Sequence, residues 1–177
     1  MRVETAKNVT DLLAHAKVLI VDDEAYMRKV IRTLLMSIGV RNIYEAATGV
    51  DGLEAIRANA PDVVLLDWEM PGMDGAAFVR MVRSPTTFEF PAVPIIMLTG
   101  HGERRRVVEA VEIGVNEFLL KPVSSKALYD RMVSVLAWPR PIVQRGSYYG
   151  PEPRRMASYK PDADQQVEQV ANIVMVN

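Results

Sequence analysis

The sequence predicts an α/β protein built on a doubly wound, five-stranded parallel sheet. Short aliphatic and β-branched runs alternate with segments of helical period from residue 17 onward, the pattern of parallel strands wrapped by helices. Three of the runs, VLIV, VVLL and PIIML, are continuously apolar, which a strand can be only if both its faces are covered. The length of 177 residues, with 49% hydrophobic and 24% charged residues, suits one core of about 120 to 150 residues plus appendages.

Taken in order, the strands are Lys17 to Asp22, Asn42 to Ala47, Asp62 to Asp67, Val93 to Thr99 and Asn116 to Leu120. The three continuous runs belong to the first, third and fourth, which are expected at the centre. Between the first two strands, Met27, Val30, Ile31, Leu34, Leu35 and Ile38 fall on one stripe of an Ala25 to Ile38 helix that stops at Gly39. Val50 to Asn59, Gly75 to Arg83, Glu103 to Ile113 and Ser125 to Ala137 read the same way. Asp74–Gly75 makes the turn into the third helix, Gly114 ends the fourth, and Ser124 is placed to cap the fifth. Five βα units with right-handed crossovers give the flavodoxin-like strand order 2-1-3-4-5 with five helices. Residues 1–16 form an N-terminal extension with room for a short helix, 17–138 the domain, and 139–177 a Pro-rich linker and C-terminal tail with a further short helix.

Composition removes several classes of function. Zero cysteines exclude disulfides, thiolate zinc sites, iron–sulfur clusters and a Cys nucleophile. The 21 basic and 22 acidic residues leave a net charge of −1, without the global basic field of a nucleic-acid binder. No apolar run approaches the roughly 20 residues that span a bilayer, and no signal-peptide core is present. A cytoplasmic location with no membrane association is expected.

The chemistry gathers at strand ends. Asp22 and Asp23 close the first strand, Asp67 the third and Thr99 the fourth, while Lys121 follows the fifth. In the predicted order these strands are neighbours, so their carboxyl ends share one crevice. Two carboxylates about 4 Å apart repel by roughly 4 kcal/mol at an effective dielectric of 20, and three require cations. Lys121 supplies one. A divalent ion supplies the rest, and a carboxylate, carbonyl and water donor set favours magnesium.

Asp22–Asp23, the run Asp67-Trp68-Glu69-Met70-Pro71-Gly72-Met73-Asp74-Gly75, Thr99–Gly100 and Lys121–Pro122 resemble, in order and spacing, the receiver domain of two-component response regulators over about residues 17 to 137. The resemblance implies Asp67 as phosphoacceptor for a sensor histidine kinase or phosphotransfer protein. It implies Mg²⁺ held by Asp23, Asp67 and the backbone carbonyl of Glu69, with Asp22 acting through a bound water. Lys121 becomes the phosphate-contacting lysine, in a loop that the family shapes with a cis peptide at Pro122, and Thr99 the hydroxyl that moves toward the phosphoryl group. Phe118 matches the aromatic switch position but lacks the tyrosine hydroxyl, and simple packing is its other reading. Glu69 and His101 match the positions that tune hydrolysis of the acyl phosphate, with an exposed loop histidine the alternative for His101.

Arg104, Arg105 and Arg106 open the fourth βα helix, where cations oppose the helix dipole, so they read as a solvated face or a partner-binding surface. In the tail, Arg140, Arg145, Arg154, Arg155 and Lys160 interleave with Tyr148, Tyr149 and Tyr159, either a plain tether or a contact for an acidic partner or RNA. Val167, Val170, Ala171 and Val174 form an apolar stripe that either docks on the domain or pairs two chains. The expectation is a stand-alone receiver, similar to the chemotaxis response regulator, that signals through protein contact and is no turnover enzyme. Two alternatives stand beside it: a haloacid-dehalogenase-like phosphatase, which needs an Asp where Glu69 stands, and a receiver-like scaffold that is never phosphorylated.

Overall fold

A computed structural model describes residues 2–100 and 104–153, with the side chains of 8–100 and 105–153. The elements run α1 (Arg2–His15), β1 (Lys17–Val21), α2 (Ala25–Ser37), β2 (Asn42–Ala46), α3 (Gly49–Asn59), β3 (Val63–Asp67), α4 (Gly75–Val82), β4 (Ile95–Thr99), α5 (Arg104–Glu112), β5 (Glu117–Leu120), α6 (Ser125–Ala137), β6 (Ile142–Arg145) and β7 (Tyr148–Pro151). β1 to β5 form one parallel sheet in the order β2-β1-β3-β4-β5, as expected. The N-terminal extension contributes a sixth helix, α1.

Alternation along the strands divides the core into two layers. Leu19, Val21, Val64, Leu66, Ile95, Met97 and Phe118 face α3, α4 and α5. Val18, Ile20, Val63, Leu65, Ile96, Leu98 and Leu119 face the other way, onto Ile31 and Leu35 of α2, Leu128, Met132 and Val135 of α6, and Leu13 of α1. The continuous apolar runs of β1, β3 and β4 exist because each strand serves both layers. The helices are not held equally: α4 buries Ala76, Phe78, Val79 and Val82, whereas α5, among the described residues, buries only Val107 and Ala110.

Helix starts follow the predicted chemistry. Asp74 Oδ1 accepts from the Ala77 amide at 2.8 Å, and Ser124 Oγ from the Ala127 amide at 3.1 Å. Each leaves one fewer unpaired amide at its helix N-terminus.

Beyond α6 the structure departs from the linker that composition suggested, because residues 142–151 pair as an antiparallel hairpin. Its two-residue turn begins at Gly146, whose φ of +59° only glycine adopts freely. The hairpin packs at the amino edge of the sheet. Gly114, at φ +94°, ends α5 and lies so close to the Tyr149 carbonyl that a Cβ there would come within 2.8 Å of it. The guanidinium of Arg140 donates to the carbonyls of Asn116 and Glu152. Beneath sits Arg83, 6% exposed, donating to the carbonyls of Gly114, Pro91 and Val93 and to Asn116 Oδ1. Burial lowers its pKa to about 10, against an upward pull from Tyr148 and Tyr149.

Candidate functional site

Because the strands are parallel, their carboxyl ends deliver the predicted side chains to one edge. Asp22 follows β1, Asp67 ends β3, Thr99 ends β4 and Lys121 follows β5. Asp22, Asp67 and Thr99 are buried, while Asp23 is exposed. One carboxylate oxygen from each of Asp22, Asp23 and Asp67 lies within 4.8 Å of the others. Lys121 Nζ reaches between two of them, donating to Asp67 Oδ1 at 2.8 Å and to Asp22 Oδ2 at 3.3 Å.

The loops that carry these groups are braced by backbone contacts. Asp22 Oδ1 accepts from the Glu24 amide at 2.8 Å, and Arg28, one turn into α2, donates to the carbonyl oxygens of Asp22 and Asp23. The Lys121 amide donates to the Thr99 carbonyl at 2.7 Å, and the Lys121–Pro122 peptide is cis. Gly75 lets α4 approach β3: a Cβ there would stand 2.6 Å from the Asp67 carbonyl oxygen. Gly100 has open space around it, so the backbone beside Thr99 is accessible.

Burial raises the pKa of Asp67; Lys121 opposes this and the charges of Asp22 and Asp23 reinforce it. For Lys121, burial pulls downward, but Asp67 and Asp22 outweigh it and the net shift is upward. Three carboxylates against one ammonium leave two negative charges in the pocket. That deficit, made of hard oxygen donors with one exposed member, fits a divalent cation of the magnesium type.

Glu69 and Trp68 continue the chain past Asp67. Trp68 is buried and lies under the Arg106 guanidinium, whose carbon is 5.8 Å from the ring centre; Arg106 Nη1 also pairs with Glu69 Oε1 at 2.6 Å. These residues, with Met70, Pro71 and Asp74, line a cleft of about 420 Å³. Arg106 thus turns from the outward-facing run in which the sequence placed it toward the acidic edge. Arg28 was missed as well, its only signal being a cation one turn after an acidic pair. Phe118 is buried in the layer beneath α5 with Val107 and Ala110. His101 and the Val167-Val170-Ala171-Val174 stripe lie outside the described residues, as do Arg154, Arg155, Tyr159 and Lys160.

An edge built this way belongs to a class of signalling domains that switch in response to phosphorylation. Residues 18–133 match the response regulator receiver domain. The chain is 39% identical over 121 residues to the chemotaxis protein CheY1 of Helicobacter pylori, covering 68% of this chain and 96% of the relative. It is 34% identical over 119 residues to the chemotaxis protein CheY of Pseudomonas aeruginosa, covering 67% and 94%. Among solved structures, chemotaxis protein CheY4 of Vibrio cholerae superposes with a TM-score of 0.61 at 32% identity, over 68% of this chain and 98% of that one. A putative response regulator from Chloroflexus aurantiacus gives 0.63 at 32% identity, over 69% and 98%. The chain belongs to the response regulator receiver domain family; it is homologous to the CheY chemotaxis regulators, and the phosphatase reading falls away.

Proposed function

We propose that Asp67 is the phosphoacceptor of this receiver, taking its phosphoryl group from a sensor histidine kinase or phosphotransfer protein in the cytoplasm and signalling through contact with a downstream protein. The observation that carries the reading is the Lys121 ammonium 2.8 Å from Asp67 Oδ1, in a pocket with two further carboxylates. With Oδ1 engaged by Lys121, Oδ2 is the nucleophile. It forms a bond to phosphorus as the P–N bond of phosphohistidine breaks, and the imidazole leaves with the electron pair. An acyl phosphate results. Such a transfer depends on positioning and on neutralising the phosphoryl oxygens, and Lys121 stands beside them.

Asp23, Asp67 and the Glu69 carbonyl would hold Mg²⁺, with Asp22 acting through water; the ion supplies charge neutralisation at the phosphoryl oxygens. Thr99, buried at the neighbouring strand end, is the hydroxyl that answers the new group, and Phe118, under α5, is the side chain whose packing that movement changes. Glu69 and His101 are the residues assigned to tuning hydrolysis. In this reading residues 17–138 are the receiver unit, with α1 before it and the hairpin and tail after it as appendages, and self-phosphorylation and self-dephosphorylation are its only reactions. Pairing of two chains through the tail stripe remains part of the same proposal.

The test is labelling. With Mg²⁺ and a small phosphodonor, the wild-type chain should gain one phosphoryl group and Asp67→Asn none. Stoichiometric, acid-stable labelling of Asp67→Asn would overturn the assignment, and an unlabelled wild type would leave the receiver-like scaffold as the better reading.

A further inference from the structure

We propose that Arg106 is a positioning residue for phosphoryl transfer, pairing with Glu69 at the mouth of the site and so lowering the negative potential that an anionic phosphodonor meets; the proposal rests on Asp67 as phosphoacceptor. Helix stability does not account for a guanidinium here, since Arg106 stands in the first turn of α5, where the helix dipole opposes a cation. Its side chain is instead held by two contacts on the far side of the cleft: Glu69 Oε1 at 2.6 Å and the face of Trp68 at 5.8 Å. It is also well covered, at 25% side-chain exposure against 58% for Glu69. A planar guanidinium can pair with a carboxylate and lie over an indole at once, which an ammonium does less well.

The electrostatics give this contact its consequence. Asp22, Asp23 and Asp67 crowd together, and Glu69 and Asp74 add two more acids along the adjoining cleft wall. A phosphodonor is itself an anion, so the field at the mouth acts on its approach as well as on the transfer. Lys121 is committed to Asp67 and Asp22. Arg106 offsets the acid two residues past the phosphoacceptor, in sequence and in space a different carboxylate from those Lys121 serves.

The experiment follows labelling by acetyl phosphate in the full chain with Mg²⁺ present. The Asp67 oxygen bonds to phosphorus, the bond from phosphorus to the acetyl oxygen breaks, and acetate leaves with the electron pair; no proton moves. Arg106→Ala should slow labelling roughly threefold or more, the size expected of one partly exposed charge contact, while Arg106→Lys recovers part of the rate. In a Glu69→Gln background the same Arg106→Ala change should have a smaller effect, because the ion pair that fixes the guanidinium at the mouth is gone. The gap between wild type and Arg106→Ala should also narrow as salt shortens the Debye length from about 10 Å at 0.1 M to about 3 Å at 1 M. A loss as large in the Glu69→Gln background as in the wild-type one, or wild-type labelling by Arg106→Ala, overturns the proposal. An unlabelled wild type would overturn the Asp67 reading itself, and this one with it.

Discussion

The Lys121 ammonium bridges Asp67 and Asp22, 2.8 Å from the one and 3.3 Å from the other, so a single cation offsets two carboxylates brought together from strands adjacent in the sheet. Removing one partner of such a group leaves buried charge without compensation. Lys121→Met should lower unfolding stability by about 2 kcal/mol in urea titrations without divalent cations. Adding Asp22→Asn should recover part of the loss. Equal stability of wild type and Lys121→Met would show that the ammonium compensates nothing.

Asp67 makes the fold pH-dependent in the opposite sense to an ordinary paired carboxylate. Its folded pKa is raised, by burial first, so the folded chain binds this proton more tightly than the unfolded chain. The group therefore favours folding below the unfolded value of 3.8, and that support is lost as pH rises through the raised value. At neutral pH without Mg²⁺, Asp67→Asn should be more stable than wild type by roughly 1 kcal/mol. The gain should shrink as melting is repeated toward pH 4. A gain that is constant with pH would exclude the titration of Asp67 as its source.

Divalent cations should relieve the same repulsion. Millimolar Mg²⁺ is expected to raise the melting temperature, following RT ln(1 + [L]/Kd), and to change the emission of Trp68, which adjoins Asp67 and is buried. Trp138, 70% exposed, supplies a constant background. Asp23→Ala should abolish both responses, and a melting curve indifferent to Mg²⁺ would count against an assembled acidic pocket.

The hairpin should behave as part of the folded body. Relative to a chain ending at Pro153, one ending at Trp138 loses the Arg140 contacts to Asn116 and uncovers Gly114 and Arg83. The shorter chain should melt about 4 to 8 °C lower, as a loss of roughly 2 kcal/mol implies for this size. Both should label equally at Asp67. Identical melting would reduce the hairpin to decoration.

The sheet was legible because VLIV, VVLL and PIIML are apolar at every position and can only be central, and the site because parallel strands put their last residues side by side. From that one rule Asp22, Asp67, Thr99 and Lys121 could be assembled from the sequence alone. The Arg106–Glu69 pair could not, since it depends on a side-chain rotamer spanning the cleft between residues 37 positions apart. The hairpin was hidden by its prolines, which argue against strands in general but here sit outside the pairing or at its last rung, Ile142 with Pro151. Buried Glu117, held by Ser134 Oγ at 2.8 Å, gave no sign in a segment that reads as an ordinary edge strand.

The unequal anchoring of the helices sets an energy scale for output. Among the described residues, α5 has Val107 and Ala110 as its only fully buried apolar side chains and is tied to the rest of the domain by the Arg80–Glu109 and Arg106–Glu69 ion pairs, so part of its anchoring consists of contacts that water and salt can replace. Its amides should exchange with solvent well before those of α4, whose Phe78, Val79 and Val82 are sealed in the core. Displacing α5 then requires only a small part of the free energy of global unfolding, so a charge added at the strand ends can move this helix while the sheet beneath it stays rigid.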